Sequence, residues 1–261
     1  MDRSSGKSRL LNILRHKPTR TIPWVPFAGV HAGKLKGYTA FEVLTDGEKL
    51  LESLLEVNQL YDPDGQPVLF DLQVEAEILG CDLAWAEDAP PSVASHPLSG
   101  TKAIPNKIPQ ADDGRLSMIL DVMQKMKTAV GETTALYGLI TGPFTLASHL
   151  RGTDIFLDTM DDPEYVRLLM DYTGRVAVQM AALYLDVGMD VIAVVDPVTS
   201  QVSPRTFTAF LAEPFQKVFD FIRSKNAFSS FFVCGDATKN IEVMCQTGPD
   251  GIAVDENIDM V

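Results

Sequence analysis

The stretch TALYGLITGPFTLASHL, residues 134–150, changes its periodicity midway. Its first half, TALYGLI, is apolar without strict alternation, the composition of a strand covered on both faces. Gly142-Pro143 then breaks the run, and proline fits the first turn of a helix, where its missing N–H costs nothing. A strand followed at once by a helix is one βα unit, and the fold depends on whether that unit repeats.

It does repeat downstream. A long helical pattern at 162–188 opens with Asp162-Pro163, and MDVIAVVD (189–196) reads as the next strand. A Ser-Pro-initiated helix follows at 203–225, then the strand SSFFVCG (229–235), the helix TKNIEVMCQTG (238–248) and the strand DGIAVD (250–255). Upstream, 5–17 reads as a helix ending before Pro18. TIPWVPFAGV (21–30) reads as a strand broken by prolines, and 39–61 supplies two helical segments. PVLFDLQVEAEILGC (67–81) reads as a strand turning into a helix. Residues 83–110 are rich in Pro and Ala and read as an excursion with short strands. Residues 114–131 form an amphipathic helix with Leu116, Ile119, Leu120, Met123, Met126 and Val130 on one stripe and Gly131 as its stop.

About six strands separated by helices predict an α/β parallel sheet. No G-x-G-x-x-G follows the first strand and no G-x-x-x-x-G-K-[ST] occurs, which disfavours dinucleotide and P-loop folds. The expected architecture is a (β/α)8 TIM barrel, one domain over 1–261. The sixth strand ends near Val261, so the last two βα units of such a barrel are expected to be lacking, leaving open edges available for a homo-oligomer.

Composition narrows the function. The net charge of −13 repels phosphate backbones, so a nucleic-acid partner is not expected. No apolar run approaches the ~20 residues that cross a bilayer, and the basic N-terminus lacks a secretory apolar core. Three cysteines without a CxxC spacing point to a reducing cytoplasm. Cys81 and Cys245 are expected to be packing residues.

Barrel chemistry sits at the C-terminal ends of the strands. The polar residues there are Asp71, Thr141, Asp196, Cys234 with Asp236, and Asp255 with Glu256, while His31 follows the first strand. Asp71, Asp196 and Glu256 are the candidate catalytic carboxylates; His31, Thr141 and Asp236 are candidate substrate contacts. Asp71 is equally readable as a helix cap. Asp196 precedes Pro197, which favours an extended chain aiming its carboxylate at a pocket. His16 and His96 are expected in solvent and His149 on a helix face. Cys234 is a candidate metal ligand or nucleophile with no visible partner, since Phe232 stands where a same-face histidine would help it.

The segments RLLNILRHKPTRTIPWVPF, FDLQVEAEILGCDL, LYGLITGPFTLASHL, DVIAVVDPVTSQVSPRTFTAFLAEPF and FFVCGDATKNIEVMCQTGPDGIAVDE occur in this order. Together they resemble the uroporphyrinogen decarboxylase superfamily, and most of all its branch of methylcobamide:coenzyme M and related corrinoid methyltransferases. The resemblance implies a (β/α)8 barrel that moves a methyl group from a methylated corrinoid, free or on a partner protein, to a small thiol acceptor. It also implies zinc held by an H-x-C pair and a second cysteine. Cys234 matches the first cysteine, Phe232 replaces the histidine, and the second cysteine would lie beyond Val261. The decarboxylase chemistry of the superfamily is the alternative; it uses N-terminal arginines, and AGVHAGKLKGY (28–38) has none, although Asp71 falls where the pyrrole-binding aspartate is expected. A second alternative is a non-catalytic, truncated barrel acting as an assembly module.

Overall fold

The computed structural model describes residues 5–259. Helix α1 (Gly6–Leu14) is capped by Ser5 and ends ahead of Pro18. Residues 22–28 then run extended but join no ladder, so the first expected strand is absent. Pro23 and Pro26 remove two backbone donors, and the segment's hydrogen bonds to the start of β1 all come from Trp24. Its carbonyl accepts the N–H groups of Asp64 and Gly65 at 2.9 and 3.3 Å, and its N–H donates to Asp64 Oδ2 at 2.7 Å.

A short helix α2 (His31–Lys34) leads to α3 (Ala40–Thr45) and α4 (Gly47–Tyr61). Thr39 and Glu42 form a capping box at the start of α3, and Asp46 caps α4, so local chemistry sets both helix starts. Strand β1 (Gly65–Pro67) begins two residues earlier than the pattern predicts. After it the chain turns into α5 (Val74–Ile78), and the 83–110 excursion holds only the two-residue strands β2 (Leu83–Ala84) and β3 (Ser92–Val93).

Helix α6 (Leu116–Val130) buries Leu116, Ile119, Val122, Met123 and Met126. The βα rhythm then runs as expected through β4 (Ala135–Thr141), α7 (Pro143–Arg151), α8 (Asp154–Asp161), α9 (Pro163–Asp186) and β5 (Val191–Val195). Helix α8 lies in a stretch that the periodicity leaves unassigned. One turn, α10 (Pro204–Thr206), passes through a π turn at 207–211 into α11 (Ala212–Ser224). Strand β6 (Phe228–Val233), helix α12 (Ile241–Gln246) and strand β7 (Gly251–Val254) complete the order.

The main sheet is parallel throughout, in the order β1-β4-β5-β6-β7. It therefore has five strands where six are expected. Two apolar layers follow from the period of two along each strand. Leu136 and Ile140, Ile192 and Val194, and Phe231 and Val233 face the helices. Ala135, Tyr137 and Leu139, Val191, Ala193 and Val195, and Phe228 and Phe232 face the opposite side, where Val25, Phe27 and Phe70 meet them. Gly138 belongs to the helix side, where α9 packs so closely that a Cβ would stand 2.7 Å from Tyr184.

Candidate functional site at the strand ends

Thr141, Val195, Phe232 and Ala253 are register partners in one row across four strands. The polar residues just beyond this row are sorted to the two faces by strand period alone. Cys234 continues the inner set of Phe232, and Asp255 that of Ala253. Asp196 continues the outer set of Ile192 and Val194.

That parity decides what Asp196 does. It is fully buried, and its Oδ2 accepts the N–H groups of Phe144 and Thr145 at 2.9 and 3.1 Å. Its Oδ1 accepts the Thr145 hydroxyl at 2.7 Å and the Thr199 N–H and hydroxyl at 3.2 and 3.1 Å. The residue caps α7 and the 3-10 turn at 197–201 together, because Gly142 leaves room where a Cβ would collide with its carboxylate. Burial pushes its pKa up against the pull of these donors. The expected carboxylate aimed into a pocket is thus an internal clamp, held on the helix side of the sheet.

Thr141, expected as a substrate contact, is buried and committed as well. Its hydroxyl lies 2.8 Å from both Leu72 O and Glu75 Oε2, and its N–H donates to Glu75 Oε1 at 2.9 Å. Glu75 comes from α5 and is itself buried, which pushes its pKa up to about 7.

Asp71 accepts the Gln73 N–H at 2.9 Å and the Arg115 guanidinium at 2.7 Å. Arg115 also donates to Glu77 at 2.8 Å and to Leu44 O at 3.0 Å, and it lies over the Trp85 ring. Asp71 therefore has a fixed cation and holds the turn ahead of α5, while Gln73, not Asp71, stands at the N-cap of that helix. His31 is exposed and pairs with the Tyr61 hydroxyl at 2.9 Å, at the seam of α2 and α4. Asp236 is exposed and accepts the Thr238 N–H at 3.0 Å; the Thr238 hydroxyl first and this N–H second hold its carboxyl low.

The groups brought together here are Cys234 and Asp255, with Glu256 beside Asp255. Asp255 accepts the Gly235 N–H at 2.7 Å, a bond made possible by the left-handed Gly235 at φ 82°. That bond and Glu256 keep the Asp255 carboxyl below its ordinary range. Cys234 is half-buried, and burial, then the Asp255 charge, push its thiol up. Glu256 itself is exposed. Among the described residues no three His, Cys, Asp or Glu side chains stand together as a metal would need. Phe232 supplies no donor; it packs on Phe27 at 5.2 Å and Phe70 at 6.2 Å between ring centroids. The residues present do not fit the zinc that the resemblance implies.

Two other side chains depart from the sequence reading. Cys245 is exposed where packing was expected, whereas Cys81 is buried and its thiol is pushed up to about 12. His96 is half-buried and pairs through Nδ1 with His149 O at 2.7 Å. Glu75, Arg115 and the Phe27–Phe70 pair were not foreseen as parts of the site. Arg115 carried a signal: a cation at a helix N-terminus opposes the macrodipole, and so calls for a carboxylate to hold it.

Comparison with known proteins accords with the fold. The family model described as uroporphyrinogen decarboxylase (URO-D) matches residues 5–261. A methylcobamide:CoM methyltransferase, MtbA of Methanosarcina acetivorans, is 28% identical over 100% of this chain and 79% of its own length. MtaA of Methanosarcina barkeri, of the same description, is 27% identical over 97% of this chain and 76% of its own. A uroporphyrinogen decarboxylase of Nostoc punctiforme is 24% identical over 80% of this chain and 62% of its own. The solved structure of a methyltransferase from Methanosarcina mazei superposes with a TM-score of 0.87 at 25% identity, covering 98% of this chain and 77% of that one. On the match along the whole described chain, this protein belongs to the uroporphyrinogen decarboxylase family.

Proposed function

We propose that this chain is a corrinoid-dependent methyltransferase that moves a methyl group from a methylated corrinoid to a small thiol acceptor. The observation that carries the reading is the whole-chain similarity to methylcobamide:CoM methyltransferases, matched by the fold of a methyltransferase from Methanosarcina mazei. In the reaction the acceptor sulfur attacks the methyl carbon. An S–C bond forms, the Co–C bond breaks with its electron pair left on cobalt, and the thiol proton leaves to solvent.

The rings of Phe27, Phe70 and Phe232 give the inner face an apolar lining that supports this reading, because it excludes water beside the reacting sulfur. No step is assigned to zinc, for which the described residues offer no donor set. Decarboxylation of a porphyrinogen is the weaker reading, since Arg115 already occupies the Asp71 carboxylate.

We further infer a corrinoid-carrying protein as partner and a reducing cytoplasm as the setting, in which three unpaired cysteines persist. Among the described residues no helix is long and apolar enough to cross a membrane. Association of copies of the chain through its open sheet edges, β1 and β7 among the described strands, belongs to the same reading.

The test is to incubate the chain with methylcobalamin and 2-mercaptoethanesulfonate, following the cobalamin spectrum and the thioether by mass spectrometry. Thioether formed in step with demethylated cobalamin is expected. Absence of transfer, from methylcobalamin and from a methylated corrinoid protein alike, overturns the reading; carbon dioxide released from uroporphyrinogen would replace it with the decarboxylase.

A further inference from the structure

The turn at 141–145 is gripped from both sides by buried carboxyl groups, and the two grips differ in their protons. Asp196 meets five donors and no competing acceptor, which suits an ionised carboxylate. Glu75 meets a different pattern. The Thr141 hydroxyl has one proton but lies 2.8 Å from two oxygens, the Leu72 carbonyl and Glu75 Oε2. A backbone carbonyl only accepts. If the hydroxyl donates to Leu72, the contact with Glu75 is a hydrogen bond only when Glu75 supplies the proton.

We propose that Glu75 is a neutral carboxylic acid in the folded protein and a positioning residue whose own proton holds Thr141, and with it the end of β4, in place. Every group is then satisfied. Glu75 Oε1 accepts the Thr141 N–H, Oε2–H donates to the Thr141 hydroxyl, and that hydroxyl donates to Leu72. An ionised Glu75 would leave two acceptors competing for one proton in a buried site.

The surroundings favour the neutral form. On the chain entering α5, Asp71 adds negative charge, and its cation Arg115, from the start of α6, is bound to Asp71 and Glu77. On α9 the neighbour is Tyr184, whose phenol is raised by burial and by Glu75 and Asp71. On α7, which also packs on α5, burial keeps His149 neutral and Arg151 is bound to Asp158. Among the described residues no cation is paired with the Glu75 carboxyl; the guanidinium of Arg115 is engaged by Asp71 and Glu77. Burial accordingly pushes its pKa from 4.5 to about 7. A carboxyl raised in the folded state binds more protons there than in the unfolded chain. Its contribution is fully present below the unfolded pKa and is lost as pH rises through about 7. Nothing in this pairing depends on the methyl-transfer reading.

The test is denaturant unfolding of wild type, E75Q and E75A from pH 5 to pH 8, with infrared spectroscopy of the native protein. An amide reproduces both bonds, with its oxygen accepting and its N–H donating, so E75Q is expected to fold and to lack the pH response. The ratio of unfolding constants, wild type over E75Q, should rise about a hundredfold across that range. E75A should be less stable than E75Q at every pH. A carbonyl stretch of a protonated carboxyl should be present in wild type at pH 6 and absent at pH 9. A flat ratio overturns the proposal. So does E75Q no more stable than E75A. Should E75Q not fold, the wild-type spectrum decides: absence of a protonated carboxyl at pH 6 overturns it.

Discussion

At the scale of the residue, the deciding fact is which face of a strand a side chain occupies. Asp196 and Cys234 both end strands, and the sequence treats them alike. Parity sends Asp196 into the helix layer as a clamp and leaves Cys234 on the inner side beside Asp255. A thiol raised by burial and a neighbouring carboxylate stays protonated near neutral pH. Alkylation of the native protein near neutral pH should therefore reach the exposed Cys245 first and Cys234 later, with buried Cys81 last. Asp255→Asn should speed labelling of Cys234 by roughly two- to tenfold. Peptide mass mapping reads the order, and a Cys234 rate that matches Cys245 and ignores the Asp255 change would contradict it.

At the scale of the element, patterning in the sequence located the βα units from 134 onward, because apolar runs and capping residues are local signals. TIPWVPF reads as a strand, but its prolines cannot sustain a ladder, so its hydrogen bonds to the chain at β1 come from Trp24 alone while Val25 and Phe27 pack on the inner face. Within 203–225 the pattern gave one helix, whereas a π turn precedes α11. Pro214 has no N–H for the Phe210 carbonyl, and placing it in the first turn of α11 removes that demand. The same helix stacks Phe215 on Phe231 of β6 at 4.4 Å between centroids and sets Phe219 against it, tilted, at 5.5 Å. Phe231→Ala should cost about 3–5 kcal/mol of stability by denaturant unfolding. A loss below about 1 kcal/mol would mean that the cluster collapses into the space.

At the scale of the whole molecule, the described strands make an open parallel sheet whose inner face is aromatic and whose outer face is a continuous helix-covered core. An edge strand presents unpaired N–H and C=O groups, and a second copy can satisfy them. Sedimentation velocity of this chain should therefore show a dimer that grows with concentration. A monomer at every concentration would count against association through the edge. The net charge of −13 opposes such contact, so moderate salt should strengthen it.

The sequence by itself determined the parallel α/β architecture, most of the helix starts and the family. Each rests on local periodicity, capping chemistry or motifs that survive without knowledge of neighbours. Only the tertiary structure decided the site. It committed Asp196 and Thr141 to internal clamps, gave Asp71 its cation from a residue 44 positions away, and gave Glu75 a proton to hold. Strand parity, burial and long-range pairing set those roles. None of them has a value until the strands are in register.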